Sequence, residues 1–143
     1  MKIFIILLFF IPNFAFSASM NLIGEKGASS EVDRVIEIKM YDNYFVPNEI
    51  NIKKGETIKF LIRNFGSIVH EFNIATKQMH LKHQPEMMKM VENEILLGDK
   101  IDYEKMKEIA KTDHSMAHSH SNSVLLEPNH SGEIIWKFNT EIN

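Results

Sequence analysis

Apolar residues fall on every second position in a series of short runs, and this pattern limits the possible folds more than any other feature. In "VIEIKM" (35–40) they alternate with polar residues, as expected of a strand buried on one face. "NYFVPNEINIKKGE" follows, punctuated by Pro47 and Asn48. Ile50 and Ile52 alternate within it, and residues 53–56 read as a turn. "TIKFLIRN" (57–64) puts Ile58, Phe60 and Ile62 on one face. Phe65 and Gly66 turn the chain into a fourth run, "IVHEFNIA" (68–75). Two further runs come late: 124–126, then a turn at 128–132 and a strand at 134–138. Short strands at roughly eight-to-twelve-residue spacing predict a sandwich or barrel.

The alternation stops between Thr76 and Thr112, where Lys, Glu, Met and Leu dominate. "QPEMMKMVENEILLG" predicts a helix from Pro85 to about Leu97, with Gly98 as its stop. "DYEKMKEIAK" is a second, shorter helical candidate, and "TDHSMAHSHSNS" a polar loop. Together they form a partly helical insertion over about 77–122 of a single β-domain spanning 33–138. A chain of 143 residues has room for little else.

The N-terminus has a different purpose. Lys2, the apolar run 3–11, Pro12 and the small residues Ala15, Ser17 and Ser19 read as a cleaved signal peptide over 1–19. The apolar run is too short to span a bilayer, so no membrane span is expected after its removal, and the protein is expected in the periplasm. Residues 20–32 read as a linker and 139–143 as a tail. The chain contains no cysteine, hence no disulfide and no thiolate. Its net charge of −3 argues against nucleic acid as a partner.

Histidine and methionine carry the candidate chemistry. His70 reads either as a metal-binding imidazole held on a strand or as a histidine bonded to a neighbouring carbonyl. His114, Met116, His118 and His120 share one register, so an extended chain would turn all four the same way. Imidazole suits Cu(II), and thioether selects Cu(I); the other reading is a solvated low-complexity loop. In a third group, Met79, His80, His83, Met87, Met88 and Met90, the pair His83 and Met87 would share a helical face. Met88 reads as core packing. Glu71 follows His70, but position 74 is Ile74, so no zinc-hydrolase HExxH motif exists. No Ser-His-Asp set can be located.

The ordered set Phe45, Pro47, Ile50, Ile52, Gly55, Phe60, Asn64 and His70, followed by "LLEPNHSGEIIWKF", resembles the cupredoxins, the blue copper proteins. It is most similar to an exported bacterial branch with a His- and Met-bearing insertion. The resemblance implies an all-β, Greek-key β-sandwich around one copper ion, with His70 as the first ligand. A Cys, a second His and a Met would lie on a loop between two further C-terminal strands. The sequence contains neither loop nor strands, so the expected fold is incomplete, its last strands missing. Copper, as Cu(I) or Cu(II), is the implied cofactor, with His70, His83, Met87, His114, Met116, His118 and His120 as expected ligands. Three functions stay open. The first is single-electron transfer to a periplasmic redox partner, which this chain's ancestor would have performed. The second is non-redox copper chelation and delivery to a copper-transport protein through the insertion. The third is a non-functional truncated remnant. None of them is an enzyme.

Overall fold

The computed structural model describes residues 23–142. The expected signal peptide, 1–19, lies outside them. Seven strands and two helices follow in the order β1 (Gly24–Lys26), β2 (Arg34–Met40), β3 (Phe45–Val46), β4 (Thr57–Asn64), β5 (His70–Asn73), α1 (Lys77–Glu92), α2 (Tyr103–Ile109), β6 (Ser123–Leu126) and β7 (Ser131–Phe138). Five strands form one mixed sheet in the order β1-β7-β4-β2-β3, and β5 pairs with β6 in a second. β2 runs parallel to β4, while β7 runs antiparallel to both β4 and β1.

The alternation predicted from sequence places the core. Ile38 and Met40 of β2, Ile58, Phe60 and Ile62 of β4, and Ile134, Trp136 and Phe138 of β7 all point inward and are buried. Leu126 of β6 and Ile74 close the core from the second sheet. Phe60 meets Phe72 of β5 across the gap, with ring centroids 5.3 Å apart. This is the expected sandwich with a helical insertion.

Four details differ from the sequence reading. Gly24–Lys26, expected within a linker, forms an edge strand on β7. A side chain at Gly24 would come within 2.1 Å of the Lys137 carbonyl and 2.4 Å of the Trp136 indole nitrogen, so only glycine fits there. The alternating Ile50 and Ile52 make no strand; Ile52 forms a single bridge to Ile142, which ties down the expected tail. Met88 is 57% exposed rather than in the core. Finally, α1 begins eight residues before Pro85. Its start is set by Thr76, whose hydroxyl accepts a hydrogen bond from the Met79 amide. Pro85 removes one helical bond, to the Leu81 carbonyl, on a turn whose Leu81 side chain is exposed.

The insertion builds a core of its own. Met90, Ile95, Ile101 and Met116 are buried together, with Met87, Met106 and Ile109 packed around them. Val69 and Leu125 join from the second sheet. The β5–β6 ribbon is therefore a partition. Register pairs His70 with Leu126 and Phe72 with Val124, and Leu126, Phe72 and Val124 face the sandwich core. Glu71 pairs with Leu125 on the opposite, insertion-facing side. No helix among the described residues is long and apolar enough to cross a membrane.

Candidate metal centre

His70 and Glu71 are neighbours on β5 and face opposite ways, so each belongs to a different polar site. On the sandwich side, Asn64 is fully buried and organises the approach to His70. Its amide group donates to the Ile68 and Leu126 carbonyls, both at 2.8 Å, and its side-chain oxygen accepts from the Gly66 amide at 2.8 Å. The Asp42 carboxylate then meets His70 Nε2 at 3.0 Å and accepts from the Ser67 amide at 2.8 Å and hydroxyl at 2.5 Å. A side chain at Gly66 would lie 2.2 Å from Asp42 and 2.7 Å from His70, so the contact requires glycine. The Ser67 hydroxyl, then His70, then the Ser67 amide hold the Asp42 carboxyl down to about 2 from its usual 3.8.

A carboxylate on one ring nitrogen fixes an imidazole's orientation and leaves the other free. His70 nevertheless stands alone as a donor: the sequence has no cysteine. Among the described residues, its ring meets the Asp42 carboxylate and, edge-on, the Phe45 ring. A blue-copper ligand set, two His with a Cys and an axial Met, does not fit the residues present.

Because Asp42 has a depressed pKa in the folded state, its contribution to stability is present above pH 4 and is lost as pH falls toward 2. Denaturant midpoints measured from pH 5 to 2 are expected to fall more steeply for the parent chain than for Asp42→Asn. Equal slopes would remove Asp42 from the account.

The insertion side holds the richer site. α1 presents His83 and Glu86 three residues apart on one face, with Met87 and Met90 continuing that face into the second core. The other ligands come from the loop after α2. There the expected extended register does not form. His114–Ala117 is a 3₁₀ turn capped by Asp113, whose carboxylate accepts from the Ser115 amide at 3.1 Å. A turn of about three residues sends Met116 into the second core, 1% exposed, and leaves His114 at the surface. His118 closes the turn in the left-handed region, at φ 44°, ψ 44°. Strained backbone of this kind clusters at functional sites.

Beyond that turn, His118 and His120 converge on His83. The three imidazole centroids are 5.0, 5.1 and 5.2 Å apart, a near-regular triangle. His118 Nε2 and His83 Nε2 approach to 3.2 Å. Glu86 meets His120 Nε2 at 2.9 Å and His83 Nδ1 at 3.7 Å. One donor atom from each of His83, Glu86, His118 and His120 lies within 4.8 Å of every other. From β5, Glu71 reaches both His83 Nε2, at 3.1 Å, and His118 Nε2, at 3.3 Å. Burial acts to raise the Glu71 pKa, but the hydrogen bond from His118 and the charges of His83 and His118 help bring it below the usual value. His118 is the most enclosed of the imidazoles, its side chain 4% exposed, and His120 the most open, at 39%. Solvent thus reaches the cluster from the His120 side.

Three of the seven sequence-predicted ligands, His83, His118 and His120, are brought together. His70 belongs to the Asp42 site, His114 is exposed, and Met87 and Met116 pack into apolar surroundings. Sequence reasoning missed Glu71 and Glu86. Glu86 lies three residues from His83, a helical spacing that could have drawn attention; Glu71 had no such signal. Donors of this kind, imidazole and carboxylate at mutual distances near 3 Å, fit a first-row divalent ion.

A family model described as a cupredoxin-like domain matches residues 4–100. The chain is similar to copper-resistant cuproproteins named CopI from three bacteria. It is 35% identical to that of Pseudomonas aeruginosa over 129 residues, covering 80% of this chain and 67% of the relative. The Rubrivivax gelatinosus protein is 28% identical, covering 80% and 56%. The Vibrio cholerae protein is 21% identical, covering 83% and 58%. The chain thus spans about two thirds of the first relative and little more than half of the other two. Among solved structures, dithionite-reduced auracyanin from the photosynthetic bacterium Roseiflexus castenholzii is similar over 78% of each chain, with 16% identity and a TM-score of 0.45.

Proposed function

The chain belongs to the cupredoxin-like family, and from that premise we propose that it is an exported copper-handling protein that captures copper with its helical insertion. One observation carries the reading: the triangle of His83, His118 and His120 with Glu86, all four donor atoms within 4.8 Å. The relatives' name, copper-resistant cuproprotein, supplies the metal. Copper is here a cargo, taken up and passed on, and the partner is a copper-transport protein in the periplasm. The residues at 1–19 support export.

One observation favours a second reading. Asp42 holds His70 by Nε2, so Nδ1 is left to bind a metal, the arrangement expected of an electron-transfer ligand. The thiolate that such a site requires is not in this chain. Capture by the insertion ranks first because four donors are grouped there within 4.8 Å.

A copper titration of the purified chain tests the proposal. The expected result is about one ion per chain, retained against a weak competitor such as glycine, with β-type circular dichroism and no intense blue band. A folded chain that yields its copper to glycine would overturn it.

A further inference from the structure

Glu71 is the group that the capture reading leaves without a role. Its Oε1 lies 3.1 Å from His83 Nε2 and 3.3 Å from His118 Nε2, and those nitrogens are 3.2 Å apart. The three donor atoms form a nearly equilateral triangle. Ligand atoms bonded to one ion at about 2.0–2.2 Å stand about 2.8–3.6 Å apart, from octahedral to tetrahedral geometry. The triangle therefore has the dimensions of one face of a coordination polyhedron. Glu86 and His120, 2.9 Å from each other, group with the same two imidazoles on the other side, Glu86 at His83 Nδ1 rather than Nε2.

We infer that Glu71 is a metal ligand together with His83 and His118, and that this site, with Glu86 and His120 beside it, takes a divalent ion, Cu(II), in preference to Cu(I). The inference rests on the reading that the insertion captures copper. Two arguments carry it. The first is charge. The Glu71 and Glu86 carboxylates bring −2 to the cluster, which a divalent ion held by the imidazoles cancels; Cu(I) would leave a net negative charge. The side chains of His118, His83, Glu71 and Glu86 are only 4, 11, 13 and 16% exposed, so an uncancelled charge there is costly. The second is softness. Thioethers select Cu(I), but Met87 and Met116 pack in the second core, and the donors at the cluster are nitrogen and oxygen.

The position of Glu71 also ties the site to the scaffold. The carboxylate projects from a paired strand, His83 from a helix and His118 from the end of a 3₁₀ turn. Three separate elements fix the triangle, so it does not depend on one flexible loop.

The test uses the purified chain and the metals alone. Cu(II) is titrated against a competing chelator and followed by electron paramagnetic resonance; Cu(I) is titrated anaerobically against a Cu(I)-specific chromophoric chelator. The parent chain is expected to hold Cu(II) with a nitrogen- and oxygen-type signal and to surrender Cu(I). Glu71→Gln, which keeps the shape, is expected to weaken Cu(II) about 100-fold, the upper range for groups that support a metal site, and to leave Cu(I) unchanged. Glu71→Asp keeps the charge but withdraws the oxygen by one methylene, and so guards against a folding defect in the Gln variant; it too is expected to weaken Cu(II). Equal or tighter Cu(I) binding by the parent, or unaltered Cu(II) affinity in both variants, overturns the inference. In those cases copper is still bound, so the capture reading survives. In this experiment that reading fails if the parent chain holds neither oxidation state.

Discussion

A chain carrying both His83→Gln and His118→Gln is expected to lose copper from the insertion, its affinity falling at least ~1,000-fold. The two imidazoles contribute the nitrogens that meet at 3.2 Å, and only His120 and Glu86 would remain beside Glu71. Changing a supporting group beyond the ligands typically costs about 10–100-fold in metal affinity, so removing two ligands outright should cost more. Glutamine is the useful substitute because its amide can still donate to Glu71, which alanine would strand as a buried carboxylate. Circular dichroism should therefore stay β-type. His70→Gln, on the other face of β5, should leave insertion binding within about threefold of the parent, well short of even the tenfold low end for supporting groups. Competition titrations against a chelator of known affinity make the comparison. Retention of copper by the double variant, or its loss in His70→Gln, would move the site to the sandwich side.

The second large effect concerns the fold. Phe60→Ala is expected to destabilise the chain by about 3–5 kcal/mol, the range for emptying a buried aromatic site. Phe60 is 2% exposed at the centre of β4, and it touches Phe72 of the second sheet and Phe138 of β7, at centroid distances of 5.3 and 6.3 Å. Phe45 of β3 and His70 of β5 make a second ring contact between the sheets, at 6.2 Å, toward the sandwich edge. Denaturant unfolding checks the value. A loss below about 1 kcal/mol would mean that the two sheets do not depend on this contact, since most core truncations exceed it.

The strands that line the core were legible because burial on one face leaves a period of two. β4 matches its expected bounds, and Ile58, Phe60 and Ile62 face inward as the pattern requires. β1 was not legible: "GEK" is too short to alternate, and its pairing depends on a glycine that lets it approach Trp136. Pro85 misled the reading of α1, because a cap at Thr76 outweighs one missing helical bond. The histidines of the candidate centre were visible as residue types, but their grouping was not. A 3₁₀ turn replaced the extended register of residues 114–120, so Met116 turned inward while His118 and His120 reached α1. Glutamate is too common at surfaces for Glu71 and Glu86 to stand out before the chain is folded. The cupredoxin resemblance identified the family correctly, and the richest constellation of donors lies in the insertion, outside the part of the pattern that carried the resemblance.

The ribbon that separates the two sites also bears on how the chain assembles. β5 and β6 are adjacent in space, yet the whole insertion lies between them in sequence; Asn73 and Asn122, hydrogen-bonded across the ribbon's end, are 49 positions apart. Pairing them requires the ends of a long loop to find each other, a search that slows folding. His83 and His118 are 35 positions apart inside that same loop. An ion gripped by both closes most of it, and ring closure over that length is worth about 3 kcal/mol in chain entropy. The cargo would then act as a clasp during folding. Chains made where copper is plentiful would complete their second sheet sooner than chains made where it is scarce.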